Sequence, residues 1–252
     1  MWLRNNRGMS DFVLVHGAWH GAWCWKKVLP ALWQAGHRAF AVTLTGVGER
    51  AHLLSPTITL DTHIADVLAV IEAEELQGAV LVGHSYAGMV ITGVADRLAS
   101  ARLLSQLVYL DAVVPRPGES WSSGHSPDTQ ATRRAAIAEH GVLPPPDPAV
   151  FGLSGEDHAW VARRQSPQPG GVYDDVLHFD PGRVARWPRS FIDCTSPALA
   201  TIALMRERVR SEPGWNIVEL ATGHDAMVSA PQGLVDALLS IAGPARLADL
   251  PG

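Results

Sequence analysis

Short apolar runs alternate with helix-like segments along the first half of the chain, and this alternation constrains the fold more than any other feature. The runs 12–15, 39–42, 79–82 and 107–110 are apolar throughout. Residues 61–76 carry apolar side chains at the spacing of an amphipathic helix. Buried strands separated by helices predict an α/β protein whose parallel sheet is covered on both faces.

The alternation stops between residues 113 and 187, where Pro, Gly, Asp and His accumulate. A structureless loop of that length is unusual in a compact domain, so we interpret it as a cap inserted between two strands. The sheet pattern resumes with a strand at 190–194, and a helix at 232–241 closes the chain. The predicted organisation is a leader at 1–10 that need not be ordered, a core at 11–112 and 188–252, and a cap at 113–187.

Composition and charge exclude several classes of function. With 252 residues, of which 47% are hydrophobic and 18% charged, the chain can bury one large core. A formal net charge of -5 provides no basic field for phosphate backbones, and no stripe of interleaved basic and aromatic residues is present. We therefore expect no nucleic acid as a partner.

Membrane and redox signals are also missing from the sequence. The N-terminal residues lack the apolar run of a signal peptide, and no stretch of about 18 apolar residues could span a membrane. Cys24 and Cys194 form neither a disulfide framework nor a paired metal spacing. We expect a cytoplasmic protein with no membrane partner and no cofactor, and we leave open whether it is a homodimer.

A candidate nucleophile lies in residues 83–88, Gly-His-Ser-Tyr-Ala-Gly, between an apolar strand and a helix. A serine at so sharp a turn points outward, and this context indicates that Ser85 is a nucleophile. The small residues Gly83, Ala87 and Gly88 let the strand and helix backbones approach. The strict pattern has glycine where this chain has Ala87, which is still small.

A serine hydroxyl is a weak nucleophile until a neighbouring imidazole takes its proton. His224 follows the last predicted strand, 215–220, and we assign it as the general base. His16 and His20 are four residues apart, but no nearby carboxylate completes a metal set, so no metal site is expected. The remaining candidates are scattered in the cap: His125, His140, His158 and His178.

An acyl-transfer enzyme also needs backbone N–H groups that stabilise the oxyanion. The Tyr86 N–H directly follows the nucleophile at a helix start. The second donor should lie in the loop after the first strand, and we assign it to Ala18. Together these two N–H groups form the predicted oxyanion hole.

The chain resembles a known branch of enzymes from its first strand onward. Residues 12–26, Phe-Val-Leu-Val-His-Gly-Ala-Trp-His-Gly-Ala-Trp-Cys-Trp-Lys, resemble the plant methyl-salicylate esterase and hydroxynitrile lyase branch of the α/β-hydrolases. The resemblance covers nearly the whole chain, including 83–88 and 225–227, and is weakest in the cap. Bacterial α/β fold hydrolases are more similar still, through segments such as 160–169.

This resemblance implies the α/β-hydrolase fold, with a mostly parallel central sheet, helices on both faces and a cap inserted after the strand ending at Asp111. In that fold the nucleophilic serine precedes the catalytic histidine along the chain. Ser85 and His224 have this order.

The third member of the catalytic triad departs from the plant pattern. Plant members place an aspartate just after the penultimate strand in a Cys-Thr-x-Asp pattern, whereas residues 194–197 are Cys-Thr-Ser-Pro. Some α/β-hydrolases supply the acid from the position of Asp111, so we expect Asp111 to orient His224. Asp193 is the rival, although it lies within its strand. A cap residue, or no acid at all, is the further alternative.

We expect a serine esterase that cleaves a small, hydrophobic or aromatic carboxylic ester through an acyl-enzyme on Ser85. By the resemblance, lyases carry Thr at the position of Gly17 and Lys directly after the catalytic histidine. Gly17 and Asp225 occupy these positions here and favour the esterase. The alternatives are hydroxynitrile lysis, hydrolysis of a lactone or thioester in a biosynthetic pathway, and a non-catalytic ligand receptor.

The substrate pocket should lie between Ser85 and the cap, and aromatic side chains are the candidates for its wall. They suggest a hydrophobic acyl or aromatic group. The sequence identifies no Arg or Lys that would hold a substrate carboxylate. The candidate lining residues are Trp19, Trp23, Tyr86, Trp121, Trp160 and Met227.

Overall fold

The computed structural model describes residues 9–243, so residues 1–8 of the predicted leader lie outside the described part. Its main element is a six-stranded sheet in the order β10-β9-β4-β3-β1-β2, in which every neighbouring pair is parallel. The strands along the chain are β1 Asp11–Val15, β2 Arg38–Val42, β3 Ala79–His84, β4 Leu104–Leu110, β5 Glu119–Ser120, β6 Val142–Leu143, β7 Gln168–Pro169, β8 Val176–Leu177, β9 Arg189–Cys194 and β10 Trp215–Leu220.

Parallel strands bring their carboxyl ends to one edge of the sheet, and the register decides which residues meet there. β3 pairs with β4 so that His84 lies beside Leu110. The next residues, Ser85 and Asp111, therefore leave adjacent strands at the same edge. β4 ends one residue earlier than predicted, because Asp111 has a φ of 41° and departs from extended backbone.

Helices cover the sheet, and their buried faces follow the apolar spacing seen in the sequence. α2 buries Ile64, Val67 and Ile71, and it begins at a capping box on Thr59. The helices are α1 Leu29–Gln34, α2 Leu60–Ala73, α3 Ala87–Arg97, α4 Pro127–His140, α5 Gly155–Ala162, α6 Pro181–Val184, α7 Ala203–Ser211, α8 Ala226–Ser229 and α9 Pro231–Ala242. The short 3₁₀ segments are Ala22–Lys27, Gly48–Leu53, Ala101–Leu103, Trp121–Gly124, Pro148–Phe151, Gly170–Val172 and Ala200–Ile202.

The start of α3 packs tightly against the chain that leaves β4. A Cβ added at Gly88 would lie 1.8 Å from the Val113 carbonyl oxygen, so only glycine fits there. This contact holds the turn at Ser85 against the segment that follows Asp111. It explains why the sequence needs small residues around the nucleophile.

All six strands of the large sheet lie outside residues 113–187, the segment predicted to be a cap. This segment contains α4, α5, α6 and two antiparallel pairs, β5 with β8 and β6 with β7. It contacts the loop after β1, where the Ser166 N–H donates to the Trp19 carbonyl at 3.0 Å. Within residues 9–243, no helix is both long enough and apolar enough to cross a membrane.

Candidate active site

Ser85 lies on a strained turn between β3 and α3. Its φ of 54° is in the left-handed region, where a residue with a side chain is uncommon. The Ser85 N–H donates to the Leu110 carbonyl at 3.1 Å, and the Val113 N–H donates to the Ser85 carbonyl at 3.0 Å. Ser85 is partly exposed, whereas His84 and Tyr86 on either side are buried. The turn therefore presents the serine hydroxyl at the edge of the sheet.

His224 and Asp111 form a buried pair beside this turn. The distance between His224 Nδ1 and Asp111 Oδ2 is 2.7 Å. Because a carboxylate accepts, Nδ1 carries the proton and Nε2 is the ring nitrogen that can accept another. The backbone of His224 is also fixed, since its N–H donates to the Phe151 carbonyl at 3.0 Å. The residues predicted as base and acid are thus brought together, and their catalytic roles remain predictions.

Asp193, the rival acid, is bound elsewhere. Arg210 donates to Asp193 Oδ2 at 2.7 Å, and Arg206 Nε donates to Asp193 Oδ1. Arg206 Nη2 also donates to Asp111 Oδ1 at 2.6 Å. Arg206 therefore bridges the two carboxylates and orients Asp111 toward His224. Sequence reasoning missed Arg206, because 95 residues separate it from Asp111 and no motif links them.

The two predicted oxyanion donors have no hydrogen-bond acceptor among the described residues. Within residues 9–243, neither the Ala18 N–H nor the Tyr86 N–H has a hydrogen-bond partner. An unpaired N–H is free to bind an oxyanion that develops during the reaction. Their assignment to the oxyanion hole remains a prediction.

His16 and Gln168 fix the loop that carries Ala18. His16 Nδ1–H donates to the Gly17 carbonyl at 2.7 Å, and His16 Nε2 accepts from the Leu44 N–H at 3.1 Å. Burial lowers the pKa of His16 to about 3, so the ring is neutral. The Gly17 carbonyl and the Ala18 N–H belong to one peptide plane, which His16 therefore orients. The Trp19 N–H in the next plane donates to Gln168 Oε1 at 3.0 Å.

His20, His84 and Asp225 form a second buried cluster behind this loop. His20 Nδ1 lies 2.7 Å from the Ala18 carbonyl, and His20 Nε2 lies 3.1 Å from Asp225 Oδ2. His84 Nε2–H donates to the His224 carbonyl at 3.1 Å. Burial, together with the proximity of His224, holds the pKa of His84 well below its usual value.

His84, His224 and Asp225 are the described residues that could hold a metal ion, because their ligand atoms lie within 4.8 Å of one another. Each of these side chains already has one partner, although His84 Nδ1 and Asp225 Oδ1 are buried without one. Asp111 binds one nitrogen of His224, the His224 carbonyl binds one nitrogen of His84, and His20 binds one oxygen of Asp225. The cluster therefore fits a hydrogen-bond network better than a metal centre.

His63 supports the residue after the nucleophile and was missed by sequence reasoning. His63 Nε2–H donates to the Thr45 carbonyl at 2.9 Å, so Nδ1 accepts from the Tyr86 hydroxyl at 3.0 Å. Burial lowers the pKa of His63 to about 4, which keeps the ring neutral. The Tyr86 hydroxyl is therefore bound to His63.

Cap and core aromatic rings form a wall near Ser85. Trp121 lies 5.8 Å from Trp19 and 5.0 Å from Tyr86, measured between ring centroids. Phe151 lies 5.5 Å from the His224 ring. Tyr86 itself carries one of the predicted oxyanion donors, Trp19 directly follows the other, and the Phe151 ring packs against the predicted base. The aromatic wall is therefore defined as Trp19, Tyr86, Trp121, Phe151 and Tyr173.

A cation lies over this wall, although the sequence had identified no Arg near the site. The Arg133 guanidinium lies 5.5 Å from the Trp19 ring, 5.2 Å from the Trp121 ring and 5.6 Å from the Tyr173 ring. Among residues 9–243, Arg133 forms no salt bridge with Asp or Glu, whereas the adjacent Arg134 pairs with Asp174. Burial lowers the pKa of Arg133.

Two predicted lining residues, Trp23 and Trp160, pack against each other and are not part of the aromatic wall. Trp23 packs 5.2 Å from Trp160, and Trp23 lines an open cavity of about 740 Å³ beside β2. Ser85, His224 and Asp111 are not among the described residues that line this cavity. Met227 in α8 is fully buried. A substrate-binding role for Trp23, Trp160 and Met227 remains a prediction.

A parallel sheet of this order, with a serine on the turn after β3 and a histidine-aspartate pair at the same edge, defines a hydrolase of the α/β type. The model of the Alpha/beta hydrolase family matches residues 12–237. The chain belongs to the alpha/beta hydrolase family.

Several relatives of this chain are esterases. A carbendazim hydrolyzing esterase of Nocardioides sp. is 42% identical over 243 residues, which cover 92% of this chain and 100% of the relative. Esterase PIR7B of Oryza sativa subsp. japonica is 27% identical over 265 residues, which cover 92% of this chain and 96% of the relative. These matches confirm the predicted family and support the predicted esterase class.

The fold is also that of solved hydrolases. An extracellular alpha/beta-hydrolase from a Paenibacillus species, described as similar in structure and function to tobacco salicylic acid binding protein 2, superposes with a TM-score of 0.81. The superposition covers 94% of this chain and 100% of that protein. At 18% identity this likeness concerns the fold alone. The predicted fold class is confirmed.

Proposed function

We propose that the protein is a serine esterase that hydrolyses a small carboxylic ester with an aromatic or hydrophobic group. One observation carries the proposal. The partly exposed Ser85 lies on a strained turn at the sheet edge where His224 Nδ1 and Asp111 Oδ2 are 2.7 Å apart. This arrangement supports Ser85 as nucleophile, His224 as general base and Asp111 as the acid that orients it.

In the proposed reaction, Ser85 Oγ attacks the carbonyl carbon of the ester and transfers its proton to His224 Nε2. Asp111 holds the His224 tautomer and stabilises the imidazolium. The Ala18 and Tyr86 N–H groups stabilise the oxyanion. The C–O bond then breaks, and the alcohol leaves with the proton from His224. Water attacks the acyl-enzyme by the same route and releases the carboxylic acid.

The surroundings of Gly17 favour an esterase over a hydroxynitrile lyase. A Cβ at position 17 would lie 2.8 Å from Ser85 Cβ and 2.8 Å from His84 Nδ1. A threonine, which the resemblance associates with lyases, would collide with both side chains. Asp225, rather than a lysine, follows His224, so no cation is available there for developing cyanide.

The aromatic wall supports a planar or apolar group in the substrate. Trp19 and Trp121 are almost fully buried and belong to the oxyanion loop and the cap, respectively. An ester bound beside Ser85 would therefore contact rings from both sides. The name of the Nocardioides relative gives carbendazim as its substrate, and carbendazim belongs in the substrate panel together with aryl acetates, methyl esters, lactones and thioesters.

The proposed cellular setting rests on the composition of the chain. We propose a cytoplasmic enzyme whose partner is a small-molecule ester, without a nucleic acid partner. Both cysteines are free and buried, in agreement with a reducing compartment.

The test is labelling with a fluorophosphonate combined with hydrolysis of the substrate panel. The wild type should be labelled on Ser85 and should hydrolyse aryl acetates, and Ser85→Ala should do neither. A wild type that binds esters without labelling would instead indicate a receptor. Release of cyanide from aromatic cyanohydrins without ester hydrolysis would indicate a lyase.

A further inference from the structure

Both ring nitrogens of His20 lie within hydrogen-bond distance of an oxygen atom. The Ala18 carbonyl can only accept, so His20 Nδ1, 2.7 Å away, must donate to it. His20 Nε2 lies 3.1 Å from the carboxyl oxygen Oδ2 of Asp225. An ionised Asp225 can only accept as well, and it therefore requires the second proton. With Asp225 ionised, the two contacts describe an imidazolium bound to a carboxylate.

The electrostatic surroundings support this ionised pair. Burial opposes charge on Asp225, but the attraction and hydrogen bond of His20 outweigh it and lower the pKa of Asp225 to about 2. Burial also opposes charge on His20, yet Asp225 and the Ala18 carbonyl raise the pKa of His20. Both residues are almost completely buried, so solvent screens their interaction little.

The pair holds the peptide plane next to the oxyanion donor. The Ala18 carbonyl belongs to the plane between residues 18 and 19, and the Ala18 N–H belongs to the preceding plane. His16 fixes the first plane through the Gly17 carbonyl, and His20 with Gln168 fixes the second. The direction of the Ala18 N–H is therefore set from both sides.

The positive and negative charges of the pair also lie toward different parts of the site. The imidazolium of His20 is bonded to the oxyanion loop, whereas a carboxylate oxygen of Asp225 lies within 4.8 Å of a ring nitrogen of His224. During ester hydrolysis, negative charge develops at the oxyanion and positive charge develops on His224. The cation of the pair is bound to the residue that carries the predicted oxyanion donor, and its anion is near the second charge.

We propose that His20 and Asp225 are positioning residues, and that their buried ion pair aligns the Ala18 N–H with the oxyanion and favours charge separation in the transition state. This inference rests on the proposed esterase function. It assigns a role to the residue directly after the catalytic base, where the lyase pattern has a lysine. Neither residue contacts the reacting atoms, so both act through Ala18 and His224.

Two substitutions distinguish the contribution of the hydrogen bond to Ala18 from the contribution of the charges on His20 and Asp225. In His20→Gln the amide nitrogen replaces Nε2 and can reach Asp225, but it leaves the Ala18 carbonyl without its donor. In Asp225→Asn a neutral His20 keeps Nδ1–H on the Ala18 carbonyl while its Nε2 accepts from the new amide, so the hydrogen bonds persist without charge. Glu119→Gln is the matched control, because it breaks the ion pair between Glu119 and Arg208 away from Ser85.

We expect His20→Gln to lower kcat about 100-fold, as loss of one oxyanion donor does, with KM within about threefold of the wild type. Asp225→Asn should lower kcat about tenfold, because an electrostatic contribution is lost while geometry remains. Glu119→Gln should keep the wild-type kcat. Circular dichroism and thermal melting establish that each variant is folded.

The charge state of His20 can be measured separately from the kinetics. In protein labelled with ¹⁵N-histidine, His20 should show two protonated ring nitrogens at pH 7.5 in the wild type and one in Asp225→Asn. A neutral His20 in the wild type would overturn the inference, as would wild-type kcat in folded His20→Gln. These results are separable from failure of the proposed function, in which the wild type neither hydrolyses esters nor labels on Ser85.

Discussion

The core side and the cap side of the site are built differently. On the core side, His16, His20 and Arg206 each hold a polar group of the predicted machinery through hydrogen bonds of 2.6 to 3.1 Å. On the cap side, Trp121 and Tyr173 pack as rings with Arg133 on their faces, while Phe151 and Gln168 accept from the backbone N–H groups of His224 and Trp19. Hydrogen bonds fix direction, whereas ring packing mainly fixes shape. The core side should therefore control kcat, and the cap side should control which substrate binds.

The largest effect is expected at the nucleophile and base. Ser85→Ala and His224→Ala should each lower kcat about 10⁶-fold, because the two side chains act as one unit. Stability should change little, which thermal melting checks. Esterase kinetics on an aryl acetate measure the loss, and more than about a tenth of wild-type activity in either variant would contradict the triad.

The next effect distinguishes two carboxylates that Arg206 holds together. Asp111→Asn should lower kcat about 10⁴-fold, because an amide leaves His224 in the wrong tautomer. Asp193→Asn should cost far less, since Asp193 binds Arg206 and Arg210. Parallel kinetics on the two variants measure the difference. Equal losses would mean that Arg206, rather than the Asp111 to His224 bond, carries the effect.

The strand-end residues and the side chains that hold them differ in how far the sequence predicted them. Ser85, His224 and Asp111 follow strand ends, and parallel strands bring such ends to one edge whatever the cap does. The contacts of Arg206 and Gln168 join residues 95 and 149 positions apart and leave no local pattern. Sequence reasoning therefore predicted the fold and grouped the strand-end residues, and it missed the side chains that hold them.

Among the aromatic candidates, local spacing was a poor guide. Trp19 and Trp23 are four residues apart, yet Trp19 joins the cap rings and Trp23 packs with Trp160 beside β2. The left-handed φ of Trp19, 66°, turns the chain between them. Because the sequence does not reveal this turn, it could not assign the two tryptophans to different sides.

A cap substitution should affect binding more than turnover. Arg133→Met removes a cation from the faces of Trp19, Trp121 and Tyr173, and it should raise KM for aryl acetates about fivefold to tenfold, as loss of about 1 kcal/mol implies. We expect kcat to change less than threefold. Arg134→Met is the control, because its exposed pair with Asp174 contributes little. If Arg133→Met changed kcat by a larger factor than KM, the division between a core side that controls turnover and a cap side that controls binding would be wrong.

The smallest effect concerns a property that both sides share, which is that each buries neutral histidines. Burial and the nearby Arg133 lower the pKa of His125 in the cap to about 3, and burial lowers the pKa of His63 in the core to about 4. In the unfolded chain such a ring titrates near 6.5. Between pH 6.5 and the pKa values of the folded state, the unfolded chain binds more protons than the folded chain. The contribution of these neutral rings to the free energy of unfolding is therefore complete above pH 6.5 and is lost as the pH falls.

His125→Phe should therefore flatten the pH dependence of stability, because it removes one histidine from this linkage while a ring still stacks on Tyr173. At pH 5 the slope of the unfolding free energy against pH should decrease by about 1.4 kcal/mol per pH unit, the value for one proton. Urea unfolding at several pH values between 4 and 7 measures the slope. An unchanged slope would mean that the folded cap accepts a proton on His125, and the cap would then be more open to solvent than the core beneath it.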